Sequence, residues 1–170
     1  MVHIYIGDGK GKTTAALGLL IRAHGAGLSC LFVQFLKGNH TSELVSLETL
    51  KIPYIRTDDV KKFVAYMDQN ELEICRENHQ DCFARLTQMV KQNSFDCVVL
   101  DEVLDAVSTG MLSEEQLLNF LNQMSDCSEI VLTGRNPSPK VLSTADYITE
   151  MKKIRHPYDK GIGARKGIEY

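Results

Sequence analysis

The residues best suited to chemistry form one run near the start of the chain, Gly7-Asp8-Gly9-Lys10-Gly11-Lys12-Thr13-Thr14. It lies between a short apolar stretch that ends at Ile6 and another that begins at Ala15. Strand, glycine-rich turn, Gly-Lys-Thr and helix follow one another in this order in phosphate-binding loops. Glycines let backbone N–H groups converge on anionic oxygens, and the next helix adds its positive N-terminal end. The run therefore predicts a nucleotide site, with Lys12 along the phosphates and the Thr13 hydroxyl on a bound Mg²⁺.

This loop is one residue shorter than the usual phosphate loop. The usual spacing is G-x-x-x-x-G-K-[ST], but the residue five positions before Gly11 is Ile6, so the first glycine is Gly7. A shorter loop encloses less space. We therefore expect residues 7–14 to contact a nucleotide whose phosphates need not lie as they do in an ordinary ATPase.

The rest of the chain alternates predicted strands with predicted helices. Predicted strands cover residues 2–6, 29–35, 52–55, 95–100 and 129–133, with one or two edge strands in 147–154, and predicted helices cover 13–24, 42–50, 68–93, 103–108 and 113–125. Residues 57–68 are predicted to be either a loop or a short helix over the site. The alternation indicates an α/β fold, a mainly parallel sheet with helices on both faces. We expect residues 1–170 to form a single nucleotide-binding domain.

Polar or glycine-rich residues follow four of the predicted strands. Ligands in sheets of this kind sit at the carboxyl ends of the strands. The four stretches are therefore expected to line one crevice; they are Gly7–Thr14, Gln34–Gly38, Asp101-Glu102 and Thr133-Gly134-Arg135.

Two of these stretches offer charged partners for a nucleotide. One carboxylate of Asp101 and Glu102 would hold Mg²⁺ or its water opposite Thr13; alternatively, the pair is a helix N-cap with a first-turn acid. Arg135 would pair with phosphate oxygens as a fork, or is an ordinary surface arginine beside a turn. Because Glu102 could also activate a water or a hydroxyl, these motifs alone leave a kinase or hydrolase open.

The composition bounds the class of protein. The chain has 170 residues, 44% of them apolar, and no apolar run approaches the roughly 20 residues of a membrane span. The start of the chain does not read as a basic-then-apolar leader. Five cysteines without a C-x-x-C pair suit a reducing compartment. We expect a soluble, cytoplasmic protein that does not contact a membrane.

Cys75, His79 and Cys82 are spaced so that they share one helix face, a geometry that metal ligands also use. Leu72, Leu86 and Met89 extend the same stripe. A stripe of this kind is typical of a helix face that packs on the core, which is the interpretation we favour.

Charge is distributed unevenly along the chain. The net charge is −3, but residues 151–170 hold six basic and two acidic residues, so that this basic C-terminal tail carries +4. Nucleic acid is not expected as a partner, because the body is acidic and the tail offers only Tyr158 and Tyr170 for stacking. The tail is either a solvated end or part of an anion site.

Taken together, these signatures resemble the phosphate-loop class of corrinoid (cob(I)alamin) adenosyltransferases. The shortened loop is a trait of that family. The resemblance spans nearly the whole chain and rests on residues 7–16, 34–38, 99–102, 132–136, 156–161 and 166–170. It implies a P-loop NTPase-like (RecA-like) fold.

The resemblance also implies a reaction. ATP would donate its 5′-deoxyadenosyl group to the cobalt of a reduced corrinoid, inorganic triphosphate would leave, and ATP would lie reversed along the loop. Lys12, Thr13 and Glu102 would be catalytic, with Mg²⁺ on Thr13, Asp101 or Glu102, and Arg135 and His156 would join the loop in binding the nucleotide. A homodimer is implied, and an external electron donor such as a flavoprotein, since no flavin or iron–sulfur motif is present.

Two departures concern the corrinoid. Many relatives have an N-terminal arm before the first strand, whereas this sequence begins at that strand. Some relatives place a Phe and a Trp near the cobalt, but this sequence has no Trp. Phe63 and Tyr66 are the candidates to replace them, with core packing as the alternative. The tail from His156 is predicted to close over a nucleotide, either its own or that of a partner subunit.

Overall fold

The computed structural model describes residues 1–38, 41–57, 64–124, 126 and 128–170, and these residues form six strands and six α-helices. The strands are β1 (Val2–Ile6), β2 (Cys30–Gln34), β3 (Tyr54–Arg56), β4 (Cys97–Asp101), β5 (Glu129–Thr133) and β6 (Tyr147–Glu150). The helices are α1 (Lys12–Gly25), α2 (Ser42–Thr49), α3 (Gln69–Gln92), α4 (Val103–Ser108), α5 (Glu114–Met124) and α6 (Pro139–Leu142). Short 3-10 helices cover Val64–Tyr66 and Pro157–Lys160.

The strands form one sheet in the order β3-β2-β4-β5-β1-β6, and every pair is parallel. Consecutive strands must therefore be joined by connections that cross a face of the sheet, and the helices form these connections. The carboxyl ends of β1, β2, β4 and β5 meet at one edge. This confirms the predicted α/β class and the shared crevice.

One apolar cluster lies on each face of the sheet. On one face, α1 and α2 contribute Ala16, Leu20 and Leu47 to a cluster with Phe32 and Val99 of the strands. The residues that follow these two strand positions, Val33 and Leu100, belong to the cluster on the other face, with α3, α4 and α5. Successive residues of a strand point to opposite faces. A strand covered on both faces must therefore be apolar throughout, as β2 and β4 nearly are.

Helix α3 confirms the core interpretation of its cysteine and histidine stripe. Cys75, His79 and Cys82 are buried in the face that packs on the sheet. Among the residues that the structure describes, no three or more His, Cys, Asp or Glu side chains are grouped so that they could hold a metal ion. The helix begins in a capping box, in which Asp68 Oδ1 accepts from Glu71 N and Glu71 Oε2 accepts from Asp68 N.

The remaining differences from the predicted elements lie mostly at their ends. Only one edge strand forms in 147–154; it ends at Glu150, and Met151 then lies against the loop that follows β1. Asp101 is the last residue of β4 rather than the first residue after it. The predicted segment 57–68 falls partly outside the described residues, and Val64–Tyr66 is its short helix. Within the described chain, no helix is long and apolar enough to span a bilayer.

Candidate nucleotide site

At the edge where the strands end, the backbone bends sharply into the left-handed region. Gly7 (φ 115°), Leu36 (φ 57°), Glu102 (φ 59°) and Gly134 (φ 146°) follow β1, β2, β4 and β5. Leucine and glutamate adopt such angles at a cost in energy, so surrounding contacts must hold them there. The four bends aim the following residues into a common cleft of about 520 Å³.

The short phosphate loop closes on its own lysine. Lys12 Nζ donates to the carbonyl oxygens of Gly7 (2.7 Å) and Gly9 (3.0 Å). Burial and the nearby charge of Arg135 lower the pKa of Lys12. The ammonium therefore lies inside the loop, at the N-terminus of α1, where an anion would gain from both charge and helix dipole.

At two positions of the phosphate loop, glycine is required by a close backbone contact that the sequence did not reveal. The chain beyond β6 crosses the loop, and Gly9 N donates to Met151 O at 2.7 Å while Met151 N donates to Ile6 O at 2.7 Å. A Cβ on Gly7 or Gly9 would lie 2.4 or 2.6 Å from Met151 O. Asp8, predicted to contact nucleotide, has a carboxylate that accepts from Lys153 N at 2.9 Å. Asp8 and Gly9 therefore attach the phosphate loop to residues 151–153, a strap that covers the loop.

Asp101 is the buried acid beneath the cleft. Its Oδ1 accepts from the hydroxyls of Thr13 and Thr133, both at 2.8 Å, and its Oδ2 accepts from Lys37 Nζ at 2.9 Å. The same Thr133 oxygen accepts from Glu102 N at 2.8 Å, so it links the two acids. Asp101 thus stands opposite Thr13, as predicted, but both of its oxygens are already occupied.

Lys37 is the cation of this cluster. Its Nζ lies 3.5 Å from Thr13 Oγ1, 3.7 Å from a carboxylate oxygen of Glu43 and 3.8 Å from one of Glu102. Burial alone would lower the pKa of Lys37, but the charges of Asp101 and Glu102 outweigh it and raise the pKa. The ammonium is therefore held charged between one hydroxyl and three carboxylates.

Of the pair Asp101-Glu102, Glu102 is the acid that lines the cleft. It occupies the N-cap position of α4 but makes no side-chain capping bond, so a capping role does not account for it. Burial and the nearby Asp101 raise the pKa of Glu102 to about 7. A further positive charge in the cleft would therefore stabilise the ionised form of this carboxyl group.

Arg135 reaches the cleft from the end of β5, and Asp105 of α4 holds its loop. The pKa of Asp105 is raised by burial, against the opposing charges of Arg135 and Lys12 and a hydrogen bond from the Arg135 backbone. A Cβ on Gly134 would lie 2.8 Å from the Asp105 carboxylate. Glycine at this position therefore lets the loop close onto α4.

The cleft brings most of the predicted nucleotide-binding residues together. From the tail, His156, Ile168 and Glu169 line its wall. Nδ1 of His156 accepts from Tyr158 N at 3.1 Å. The other predicted residues that line the cleft are Asp8, Gly9, Lys10, Gly11, Lys12, Thr13, Thr14, Glu102 and Arg135.

The corrinoid candidates are less informative. Phe63 lies outside the described residues. Tyr66 is 78% exposed at the end of its short helix, and Val64, at the start of that helix, lines the cleft. A role for Tyr66 stays a prediction.

Three side chains near this edge were absent from the predicted site residues. Lys37 was within a stretch expected in the crevice, and the signal for it was a lysine three residues after a buried strand. Asp105 and Glu43 lie on helices, where an acid in the first turn is common and carries no functional signal.

Comparison with known proteins supports a nucleotide site of this kind. The family model ATP:corrinoid adenosyltransferase BtuR/CobO/CobP matches residues 1–170. A corrinoid adenosyltransferase of Escherichia coli K12 is 30% identical over 173 residues, covering 100% of this chain and 85% of its own. The corrinoid adenosyltransferase CobA of Salmonella typhimurium is also 30% identical, over 176 residues with the same coverage.

A solved structure adds evidence on the fold alone. A KaiC-like protein from Pyrococcus horikoshii aligns with a TM-score of 0.52 at 16% identity, covering 89% of this chain and 71% of that one. This likeness and the sheet order support the predicted P-loop NTPase-like fold. With a family match along its whole length and a nucleotide-type cleft at the strand ends, the chain belongs to the ATP:corrinoid adenosyltransferase family.

Proposed function

We propose that this protein transfers the 5′-deoxyadenosyl group of ATP to the Co(I) centre of a reduced corrinoid and releases inorganic triphosphate. The match to the family over residues 1–170 carries the proposal. The cleft supports it, because basic side chains and a helix N-terminus converge there on one space.

The reaction forms one bond and breaks one. Co(I) of the substrate provides the electron pair for a new Co–C5′ bond, and the C5′–O bond breaks with its pair going to the triphosphate. Since Co(I) is itself a strong nucleophile, the protein need not supply a base. Its tasks are to hold C5′ in line with the cobalt and to stabilise the charge that develops on the triphosphate.

The chain has residues for the second task. Lys12 lies in the loop and Arg135 enters from β5; Lys10 and the N-terminus of α1 add positive potential. Charged donors placed where negative charge develops supply much of the catalytic effect in enzymes of this kind. We assign Lys12, Thr13 and Glu102 as catalytic residues, and residues 7–14, Arg135 and His156 as nucleotide contacts.

The residues around Thr13 suit Mg²⁺. Their oxygens already surround the Lys37 ammonium, so they form a site for positive charge. Mg²⁺ commonly takes one or two carboxylates and completes its shell with substrate phosphates and water. Thr13 and Glu102 would hold it directly, and Asp101 would orient Thr13. When bound, Mg²⁺ would neutralise charge on the triphosphate.

The remaining assignments belong to the same proposal. The protein acts as a homodimer in the cytoplasm, residues 1–170 form one transferase domain with residues 151–170 as its basic tail, and an external electron donor such as a flavoprotein reduces the cobalt. The physical support for a separate donor is the absence from the sequence of flavin or iron–sulfur motifs.

The decisive experiment identifies the phosphate product. The protein is incubated with ATP, Mg²⁺ and chemically reduced corrinoid; adenosylcorrinoid is followed by its absorbance and phosphates by chromatography. The proposal expects adenosylcorrinoid and triphosphate in equal amounts, and neither without corrinoid. ADP with orthophosphate, or a phosphorylated acceptor, would instead indicate a phosphate-loop ATPase or kinase. ATP binding without turnover would indicate a nucleotide-regulated binding module.

A charge-deleting variant sharpens the test. Lys12→Met should lower kcat by at least about 100-fold, the usual cost of losing one donor to a developing anion. Lys140→Met is the matched control, because Lys140 is exposed on α6. Equal rates for the two variants would remove Lys12 from the assigned machinery.

A further inference from the structure

His79 is a buried histidine that the proposed reaction does not use. Its side chain is 0% exposed, in the middle of α3. Nδ1 lies 2.7 Å from the carbonyl oxygen of Cys75, one turn earlier, and Leu36 N donates to Nε2 at 3.2 Å. The ring also lies against Phe35, with the ring centroids 6.1 Å apart.

These partners determine the tautomer of the ring. A carbonyl oxygen can only accept, so Nδ1 must carry the proton that it donates to Cys75. The Leu36 amide can only donate, so Nε2 must be bare. A neutral ring with its proton on Nδ1 satisfies both neighbours, whereas a protonated ring would turn an N–H toward the Leu36 N–H.

The accepting nitrogen acts at a strained point of the backbone. Leu36 has φ 57°, a conformation in which a leucine needs support from its surroundings. The next residue is Lys37, whose carbonyl accepts from Arg56 Nη2 at 2.5 Å and whose ammonium lies 2.9 Å from Asp101. Contacts with His79 and Arg56 therefore fix the backbone of residues 36–37, from which the Lys37 side chain extends.

From this geometry we infer that His79 is a positioning residue for the reaction. Its neutral ring holds Leu36 in the left-handed bend and so directs Lys37 to the acids beside Thr13. The residue touches no reacting atom and acts only through the backbone of residues 36–37. The effect on turnover rests on the proposed function, while the effect on Lys37 does not.

The test is a double-mutant cycle between the histidine and the lysine. His79→Leu removes the acceptor, His79→Gln keeps an acceptor of similar reach, and each is combined with Lys37→Met. ATP affinity is measured by calorimetry with Mg²⁺, and kcat and KM for ATP are measured with reduced corrinoid. Coupled residues give non-additive effects in such a cycle.

We expect His79→Leu to lower kcat/KM by about 10-fold or more, since misplacing a charged group by about 1 Å can cost up to about 100-fold. In the Lys37→Met background the same change should cost less than about 2-fold, and His79→Gln should recover most of the loss. Equal losses from His79→Leu in both backgrounds, or a wild-type rate in His79→Leu, would overturn the assignment.

Leu86→Ala is the control for a loss of core packing alone. Leu86 lies seven residues after His79 on the same buried face of α3. The Leu86→Ala variant should unfold more easily than wild type, yet its kcat/KM should equal that of wild type at temperatures below its unfolding transition. A rate loss equal to that of His79→Leu would show that general loosening of α3, and not the Leu36 contact, is responsible.

A measurement on the wild type needs no variant to fold. At pH 7, ¹⁵N NMR of the His79 ring should show the proton on Nδ1, and hydrogen exchange should show a protected Leu36 amide. The opposite tautomer, or an unprotected amide, would refute the inference. If the wild type makes no adenosylcorrinoid, the proposed function fails, and ATP affinity in the cycle still decides the link between His79 and Lys37.

Discussion

Replacing Gly9 by alanine tests why the phosphate loop is rich in glycine. The new Cβ would lie 2.6 Å from Met151 O and 2.9 Å from the carbonyl carbons of Met151 and Lys152. Carbon contacts are optimal at about 3.5–4.0 Å. The obstructing atoms are backbone, and the hydrogen bonds from Gly9 N and Met151 N hold them in place. The strap must therefore move away from the loop.

The cost can be worked out from its parts. Overpacking of this kind costs about 1–3 kcal/mol, and weakening the Gly9 N to Met151 O bond adds about 1 kcal/mol. Alanine also stiffens the unfolded chain, which returns about 0.4–1 kcal/mol. The net loss is about 2 kcal/mol, or about 4–8 °C in Tm for a chain of this size.

The assay is thermal and urea unfolding of the nucleotide-free protein. Gly18→Ala is the matched control: Gly18 lies inside α1, and beyond the nearby backbone of that helix nothing lies within 4 Å of the added Cβ. That change should stabilise the protein by about 0.5–1 kcal/mol. If Gly9→Ala were as stable as wild type without nucleotide, close approach of the strap would not be the reason for glycine here.

Three further perturbations test the site. Lys37→Met leaves Glu43, Asp101 and Glu102 without their shared cation, so Tm in Mg²⁺-free buffer should fall by several degrees and millimolar Mg²⁺ should recover part of the loss. Because burial lowers the pKa of His79, its contribution to stability is full above about pH 6.5 and is lost as pH falls below that value; urea midpoints from pH 7.5 to 5 should decline less in His79→Gln. Deleting residues 156–170 removes one wall of the cleft, so calorimetry should show weaker ATP binding.

Each of these has a contrary outcome. A Tm of Lys37→Met that matches wild type, or that Mg²⁺ leaves unchanged, would show that the acids do not share a cation. A decline of the urea midpoint in His79→Gln as steep as in wild type would assign the pH dependence to other groups. A truncated chain with wild-type ATP affinity and turnover would make the tail irrelevant to the nucleotide.

Local patterns in the sequence predicted the architecture well, because each reports a short-range preference. The continuous apolar runs of β2 and β4 and the apolar stripe of α3 depend only on neighbours within a few residues. The parallel order of the strands then brought residues 7–14, Glu102 and Arg135 to one edge. The family resemblance was also readable from the sequence, since it consists of short signatures at those strand ends.

The tertiary structure alone decided what these residues contact. Lys37 meets Asp101 across 64 residues of chain, the Leu36 amide meets His79 across 43, and Lys153 meets Asp8 across 145. No local preference encodes such pairs, since they arise only when the sheet and helices pack and bring separate segments within hydrogen-bond range. Sequence therefore determined which side chains stand at the strand ends, and packing determined which charges face one another and which glycines the crossing strap requires.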